Sequence, residues 1–447
     1  MLTIAVSGVL ALAALVCFAL AVGLVRRYPP AGIALAALII VPLWEVPSPP
    51  VLVSLAGLNI TLADVVTLIL FVVGALEFRQ LGTNLQGWLI PWLFLGVWIA
   101  LSVLRGAVTF GLGSATNEAR GVLWVYFVMT WGFAIRTCRL KLHTASLVLG
   151  WVLVLVAIYH GVVFGVGDPS SISVGPDGLI RTNRILVAGQ AAALLLCAGM
   201  VFLRRAELGK SRARYVWSSF AFLGVVLLSQ HRSVWVAGLV GMTAVLIFAT
   251  GGLARRRAFA LIAVGAWIAF IGWTLQGSSS EFFDSALSSN TFDWRTSGWQ
   301  TLVSDAIARG PVTVVIGEPF GSGFVRTVIS GVATGVKPHN WYVEIFLRLG
   351  IIGLALFSWM LITALFKSRE RSSEWMFALT AVGVYAFAYA VDWFLAPWLA
   401  AAMVVSFAGR NGADQALESR TSKTAVAGQV GKAPVPKKVR HHQSPAL

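Results

Sequence analysis

The chain has 447 residues, of which 58% are hydrophobic and only 12% charged, with a formal net charge of +16. With a mean hydropathy of +0.82, that composition excludes a string of soluble domains and predicts an all-α, polytopic membrane protein. The basic residues fall mostly in short runs between apolar segments, where they set topology, so the charge is not read as nucleic-acid binding.

A helix crosses the hydrocarbon core in about 20 apolar residues. On that ruler the sequence holds about 12 to 13 spans, near 2–25, 31–46, 58–77, 87–104, 120–135, 146–165, 185–203, 214–229, 233–250, 258–275, 341–366, 375–391 and 393–408. The first has no positive region ahead of it and is followed by Arg26 and Arg27, which predicts a retained span with its N-terminus outside. The second is short and contains Pro42, and only Asp392 separates the last two. Cys17, Cys138 and Cys197 lie in or beside apolar stretches without metal-ligand spacing, so neither a disulfide framework nor a zinc site is expected.

Basic clusters follow every second span: Arg26 and Arg27, Arg79, Arg136 to Lys141, Arg204 to Arg214, Arg255 to Arg257, and Lys367 to Arg371. By the positive-inside rule those loops and the basic tail are cytoplasmic and the intervening loops face outward. The outward set contains GDPSSISVGPDGLIRTNR, the tight turn SQHRS, and the long segment Gln276 to Asn340. The expected organisation is therefore N-terminal helices through residue 275, an extracytoplasmic loop subdomain over 276–340, C-terminal helices over 341–409, and a disordered basic tail over 410–447. Within the long loop, Trp299, Leu302, Val303, Ala306 and Ile307 share one helical face, EFFDSAL reads as a shorter amphipathic helix, and GEPFGSGF reads as a glycine-rich turn back to the membrane.

Several outward-facing residues carry chemistry. Arg181, Arg184 and Arg232 sit on the side that positive-inside statistics disfavour, and guanidinium forks suit phosphate or diphosphate oxygens. His339 opens the next apolar span, where an imidazole can take or give a proton near neutrality. Asn340 can cap that helix. Glu344 and Arg348, an i, i+4 pair inside an apolar run, are too polar for a lipid-facing surface and read as tied to each other. Arg295 and Arg326 lie in the external loop and are supporting candidates. No HExxH, Walker, GxGxxG or CxxC pattern occurs, nor an outward Asp-x-Asp pair, so no cofactor or metal is expected, which favours arginines over metal as a diphosphate clamp; the alternative is interfacial arginines that snorkel to lipid phosphate.

An outer-loop arginine, then SQHRSVWVAGLVG with Arg232, then Arg295 with an amphipathic helix and IGEPFGSGF, then HNWYVEIFLRLGIIG, is an order that resembles the O-antigen ligase and polymerase superfamily over roughly residues 180–365. Two departures stand beside it: an arginine at position 348, where that family often has an acid, and RTNRILVAGQ, which echoes its first motif only loosely. The resemblance implies a metal-independent glycosyltransferase of the bacterial inner membrane. Such an enzyme moves a glycan from a polyprenyl diphosphate carrier to an acceptor hydroxyl on a glycan, lipid or protein at the outer face. In that reading Arg181, Arg184 and Arg232 hold the diphosphate, with Arg181 and Arg184 both open as the main clamp. His339 is the base or acceptor orienter, and Glu344 supports the site. The competing classes are a secondary transporter or flippase of a glycan lipid, and a non-catalytic scaffold.

Overall fold

The structure, a computed structural model, describes residues 2–40, 51–55, 57–135, 137–164, 172–174, 180–182, 184–204, 212–249, 252–275, 290–327, 333–335, 337–369 and 373–407. EFFDSAL and the basic tail lie outside them. Contacts gather Met1–Phe407 into one compact unit.

Among the described residues the architecture is all-α, with three small antiparallel hairpins. The chain runs through α1 (Leu2–Arg27), α2 (Pro30–Ile40), the hairpin β1–β2 (Val51–Leu55, Leu58–Thr61), α3 (Leu62–Leu76), α4 (Phe78–Leu85), α5 (Leu89–Phe110), α6 (Leu112–Ala134) and α7 (Leu142–Phe164). It continues through the hairpin β3–β4 (Ile172–Val174, Ile180–Thr182), α8 (Ala188–Arg204), α9 (Arg212–Leu228), α10 (Arg232–Phe248) and α11 (Gly252–Leu275). After α11 come α12 (Asn290–Ala308), the short α13 (Pro311–Ile316), the two-residue strands β5 and β6 (Arg326–Thr327, Ala333–Thr334), α14 (Trp341–Ser368), α15 (Ser373–Tyr385) and α16 (Ala396–Phe407). Each of the thirteen apolar segments read from the sequence overlaps one of these helices.

Among the described residues three helical stretches are long and apolar enough to cross a membrane: Phe78–Phe110, Leu142–Val163 and Trp341–Ser368. Six shorter apolar helices of 10–17 residues accompany them. Their outward surfaces are apolar in stripes. On α7, Val148, Trp151, Leu155, Ile158 and Val162 recur every three or four residues and are all exposed, as are Ile90, Val97, Leu101, Leu104 and Val108 on α5. A water-soluble helix places that stripe inward; here it faces out, as contact with lipid requires.

The interior is assembled by close approach. α6 packs against α3, α4, α5 and α16, and α10 against α15. At the α3–α6 crossing a side chain on Gly74 would stand 2.9 Å from the Trp131 backbone, so the absence of one sets the approach. α16 is buried on every side from Ala396 through Val404, which explains its unbroken small and apolar run AAAMVV: a helix without a polar face has no solvent-compatible side.

The contacts stay within the two sets of segments that charge assigns to opposite sides. In one set Arg26 pairs with Glu77 at 2.7 Å, His143 approaches Glu374 at 3.9 Å, and Arg257 donates to the Leu203 carbonyl at 2.7 Å. In the other, Gln190 donates to the Ile40 carbonyl at 2.8 Å, Arg120 pairs with Asp64 at 3.0 Å, and Trp341 N–H donates to the Ala386 carbonyl at 2.8 Å. This second set carries the site.

α14 breaks within its own length. Gly350 takes φ 65° and ψ −167°, a conformation open to glycine and costly for other residues. The break frees three successive carbonyls, and each finds a new donor: Leu347 from Glu318 N–H at 2.7 Å, Arg348 from the Ser102 hydroxyl at 2.9 Å, and Leu349 from the Trp98 indole at 2.9 Å. A Cβ at Gly350 would also collide with the Val315 carbonyl of α13. Gly350→Ala should therefore lose about 2–4 kcal/mol of stability from backbone strain and overpacking together. Gly224→Ala, where an added Cβ meets nothing within 4 Å, should be neutral or slightly stabilising. Thermal unfolding of both variants in detergent checks this; equal midpoints would contradict the break.

Candidate functional site

The turn between α15 and the short helix Trp393–Leu395 carries Tyr389, and the polar residues of the site assemble around that ring. Arg295, from α12, holds its guanidinium 4.9 Å from the Tyr389 ring centroid and donates to the Ala388 carbonyl at 3.3 Å. The His231 ring lies edge-on to Tyr389 at 6.5 Å and the His339 ring at 6.1 Å. Tyr385 stacks on Tyr389 at 5.3 Å and donates from its hydroxyl to Asp392 at 3.4 Å. Residues spread over 230 to 390 in the sequence thus share one aromatic hub.

His231 couples this hub to two more arginines. It is buried, at 4% exposure, and precedes α10, in a turn made tight by Gln230 at φ 57°. Its Nε2–H donates to the Leu186 carbonyl at 2.8 Å, which leaves Nδ1 to accept from Arg184 at 3.2 Å. Burial first, and the Arg184 charge second, hold its pKa down at about 4. Arg232 follows it in sequence, and Arg184 is near enough for the two guanidinium groups to repel. Arg184, Arg232 and Arg295 are thus held about a neutral histidine, an arrangement whose mutual repulsion an anion would relieve.

The second network lies where α14 meets the loop Gly317–Phe324. Arg348 is 1% exposed. It pairs with Glu118 of α6, reaches Glu318 at 3.3 Å, donates to the Ser322 hydroxyl at 2.6 Å and to the Gly323 carbonyl, and covers the Phe324 ring at 4.1 Å. Glu118 in turn accepts from Gly321 N–H at 3.0 Å and Gly323 N–H at 2.9 Å. Two such amides make an anion-binding concavity, here filled by the protein's own carboxylate. Lys337 donates to the Glu118 carbonyl at 2.9 Å and to Glu344 at 3.3 Å. Arg309 pairs with Glu318.

Of the residues singled out in the sequence, Arg184, Arg232, Arg295 and His339 converge at the Tyr389 end, with His339 half-buried just before α14. Asn340 is the α14 cap, its Oδ1 accepting from Tyr342 N–H at 3.0 Å and Val343 N–H at 3.1 Å. The expected Glu344–Arg348 tie acts through space and not by direct contact: Glu344 bonds Lys337, and Arg348 bonds Glu118 and Glu318, because the guanidinium points at the glycine loop. The backbones of Arg181 and Arg326 lie in β4 and β5, opposite Ser173 and Thr334; their side chains lie outside the described residues. The amphipathic face of α12 is narrower than its sequence suggests. Leu302 and Ala306 are buried against Phe324 and Leu347, whereas Ile307 is exposed. Sequence reasoning missed Tyr389, Glu118, Glu318 and Lys337. Glu118 carried a signal, an acid in an outward loop two residues before a predicted span, while Tyr389 carried none within its apolar run.

No protein-family model matches the sequence, and no curated protein gives a significant match. Fold and site define a helical protein with membrane-spanning character and a cationic, aromatic cluster at one end. Among the described residues no group of three or more His, Cys, Asp or Glu is arranged to hold a metal ion.

Two measurements test these networks. The unfolded imidazole protonates near pH 6.5 and the folded His231 only at about 4, so in that window the unfolded state binds more protons. The stability contributed by keeping His231 neutral is full above about 6.5 and is lost as pH falls towards 4. A His231→Gln variant should lack that acid limb, worth about 3 kcal/mol at most, in unfolding measured from pH 7 to 4. Separately, Glu118→Gln removes one of the two carboxylates that balance the buried Arg348, leaving Glu318, and should cost about 3 kcal/mol at most. Arg348→Met added to it should restore part of the loss, read from the same unfolding midpoints; additive losses would deny the coupling.

Proposed function

We propose that the protein is a polytopic glycosyltransferase of the bacterial cytoplasmic membrane. It transfers a glycan from a polyprenyl diphosphate carrier to an acceptor hydroxyl, at the extracytoplasmic face and without metal. The observation that carries this reading is that Arg295 and His339 meet the Tyr389 ring, and that Arg184 is joined to the same ring through His231, the neighbour of Arg232. Three guanidinium groups match the charge and geometry of a diphosphate. Apolar helix surfaces beside them suit a carrier that never leaves the bilayer. The side chain of Arg181 joins the clamp in this proposal on the strength of its position in the outer hairpin.

The chemistry is a displacement at the anomeric carbon. The acceptor oxygen forms the new glycosidic bond, the bond from that carbon to the phosphate oxygen breaks, and the polyprenyl diphosphate leaves as an anion. The acceptor proton passes to His339. The arginines stabilise charge that grows on the leaving diphosphate, which is where fixed cations lower a barrier most. Lys337, Glu344 and Arg348 act at a remove, fixing the segment from Gly317 to Asn340 from which His339 projects.

A transporter would use a broken helix near the membrane middle to coordinate its cargo, and α14 is broken. Its freed carbonyls, however, already accept from Trp98, Ser102 and Glu318, which favours a structural role for the break and catalysis over transport.

The test is transfer in vitro with purified protein and a polyprenyl diphosphate glycan in the presence of a chelator. Product on a foreign acceptor defines a ligase; a lengthened carrier-linked chain defines a polymerase. His339→Ala should lower turnover by about 10²- to 10⁴-fold while retaining the wild-type unfolding midpoint. Arg232→Ala and Arg295→Ala should weaken donor use. A fully active His339→Ala protein would sink the assignment of that residue, and donor uptake into vesicles without a new glycosidic bond would sink the transferase reading.

A further inference from the structure

The short helix α13 has the sequence PVTVVI, in which only Thr313 is polar, and none of its residues is buried. Val312 is 66% and Val325 65% exposed, and Ile307 and Val315 are exposed with them. In a stretch expected to form an external loop, this is an apolar surface that the protein itself leaves uncovered. Its height along the neighbouring helices shows what lies against it. On α14 no residue from Trp341 to Gly350 is exposed, and the outward apolar stripe begins at Ile351 and runs through Trp359, Ile362 and Phe366 to Lys367. Gly350 to Phe366 advances sixteen residues, or about 24 Å of helix. The hydrocarbon core is about 30 Å thick, so it extends about 6 Å past Gly350 towards Trp341. A tilted helix crosses less thickness per residue and leaves more. The backbone of Val315 and Gly317 lies against Gly350 itself, where a Cβ would collide with both. α5 gives the same height independently. Arg105 donates to the Gly317 carbonyl at 3.2 Å, and the exposed apolar face of α5 continues past Arg105 to Val108, about 4.5 Å further along.

We propose that α13 and its flanking turns form a re-entrant wedge, with Val312 and Val315 among the acyl chains of the leaflet at the Trp341 end of α14 and Ile307 and Val325 at its margin. The partner is lipid because the wedge continues, at the same height, the outward apolar faces of α5 and α14. A depth of about 6 Å is the range in which interfacial elements lie. A chain that turns at that depth has to satisfy its own backbone, and this one does. Gly317 N–H donates to the Thr313 carbonyl at 2.9 Å, the Gly317 carbonyl accepts from Arg105, and Glu318 N–H donates to the Leu347 carbonyl at 2.7 Å. The glycine loop clamped by Arg348 and Glu118 is then held from its lipid side as well. The subdomain expected over 276–340 thus returns to the bilayer once before α14 begins.

The test uses the full chain in phospholipid nanodiscs, with Cys17→Ser, Cys138→Ser and Cys197→Ala as background and one nitroxide label at Val312→Cys, Val315→Cys or Asp305→Cys. Asp305 is exposed on the face of α12 opposite Ile307. Labels at 312 and 315 should collide with oxygen and lose collision with a water-soluble nickel chelate, as a label at Leu155→Cys on the α7 stripe does. The label at 305 should collide with the chelate. Chelate access at 312 and 315 equal to that at 305 would overturn the proposal by placing α13 in water. So would exclusion of both reagents, which means that a second copy or another protein covers the valines. The unaltered chain gives a second reading if the cysteine replacements prevent folding. Phosphatidylglycerol with a diazirine in its acyl chain should form adducts on Pro311–Ile316 as well as on the stripes of α5 and α14, mapped by mass spectrometry. Adducts on those stripes with none on α13 would overturn the wedge. Each outcome stands whatever reaction the Tyr389 cluster performs.

Discussion

A buried guanidinium has to be surrounded by acceptors or it destabilises the fold that buries it. Arg348 meets that constraint by drawing together parts of the chain that have no other reason to meet. Glu118 comes from α6, Glu318 and Ser322 from the loop after α13, and the Gly323 carbonyl from the same loop. Because Glu118 also accepts two amides of that loop, the loop is clamped from its charged side chains and from its backbone at once. The break of α14 at Gly350 belongs to the same junction, since it lets α13 abut the helix and leaves carbonyls that Ser102 and Trp98 of α5 then satisfy. Losing the pairing would release the helix break, the glycine loop and the seat of α12 together.

The consequence reaches the Tyr389 cluster by a short path. Lys337 joins the Glu118 carbonyl to Glu344 and stands two residues before His339. Trp341 N–H bonds the Ala386 carbonyl, three residues before Tyr389. His339 is thus fixed on one side by the ion network and on the other by the α15 turn. The two clusters divide the labour. The first sets the cations Arg309, Lys337 and Arg348 against the carboxylates Glu118, Glu318 and Glu344, which suits a frame. The second places three arginines about a histidine kept neutral by burial, which suits a site awaiting an anion.

The helical course was legible because lipid contact demands long apolar runs, and every such run overlaps a helix. The cluster at Tyr389 was legible in part where charge contradicted the expected topology: Arg184 and Arg232 in segments expected to face outward, and His339 at the edge of an expected span. What the sequence could not convey was pairing. Glu344 and Arg348 lie at i, i+4 spacing, which permits contact, but a helix that opens at Gly350 and packs against a glycine loop offers Arg348 better acceptors from α6. Tyr389 was invisible for a related reason. Within YAFAYAVDWFLAPW an aromatic reads as one more apolar residue, and only the reversal of the chain after Tyr385 turns that ring towards Arg295. Ile307 reads as part of the buried face of α12, yet the cluster that covers that helix, Phe324 and Leu347 with Val343 and Phe346 beside them, reaches Leu302 and Ala306 and leaves Ile307 exposed.

The neutral state of His231 gives the site its electrostatic character. A protonated imidazole there would add a fourth positive charge beside Arg184, Arg232 and Arg295, in a place too dry to screen it. With Nε2–H committed to the Leu186 carbonyl, Nδ1 can only accept, and it accepts from Arg184. One arm of that guanidinium is thereby fixed, so the residue is oriented before any ligand arrives. Preorganised donors of this kind require little reorganisation when charge appears. His231 therefore acts as the brace of the arginine cluster, while His339, half-buried before α14, meets the same Tyr389 ring from the other side of the sequence.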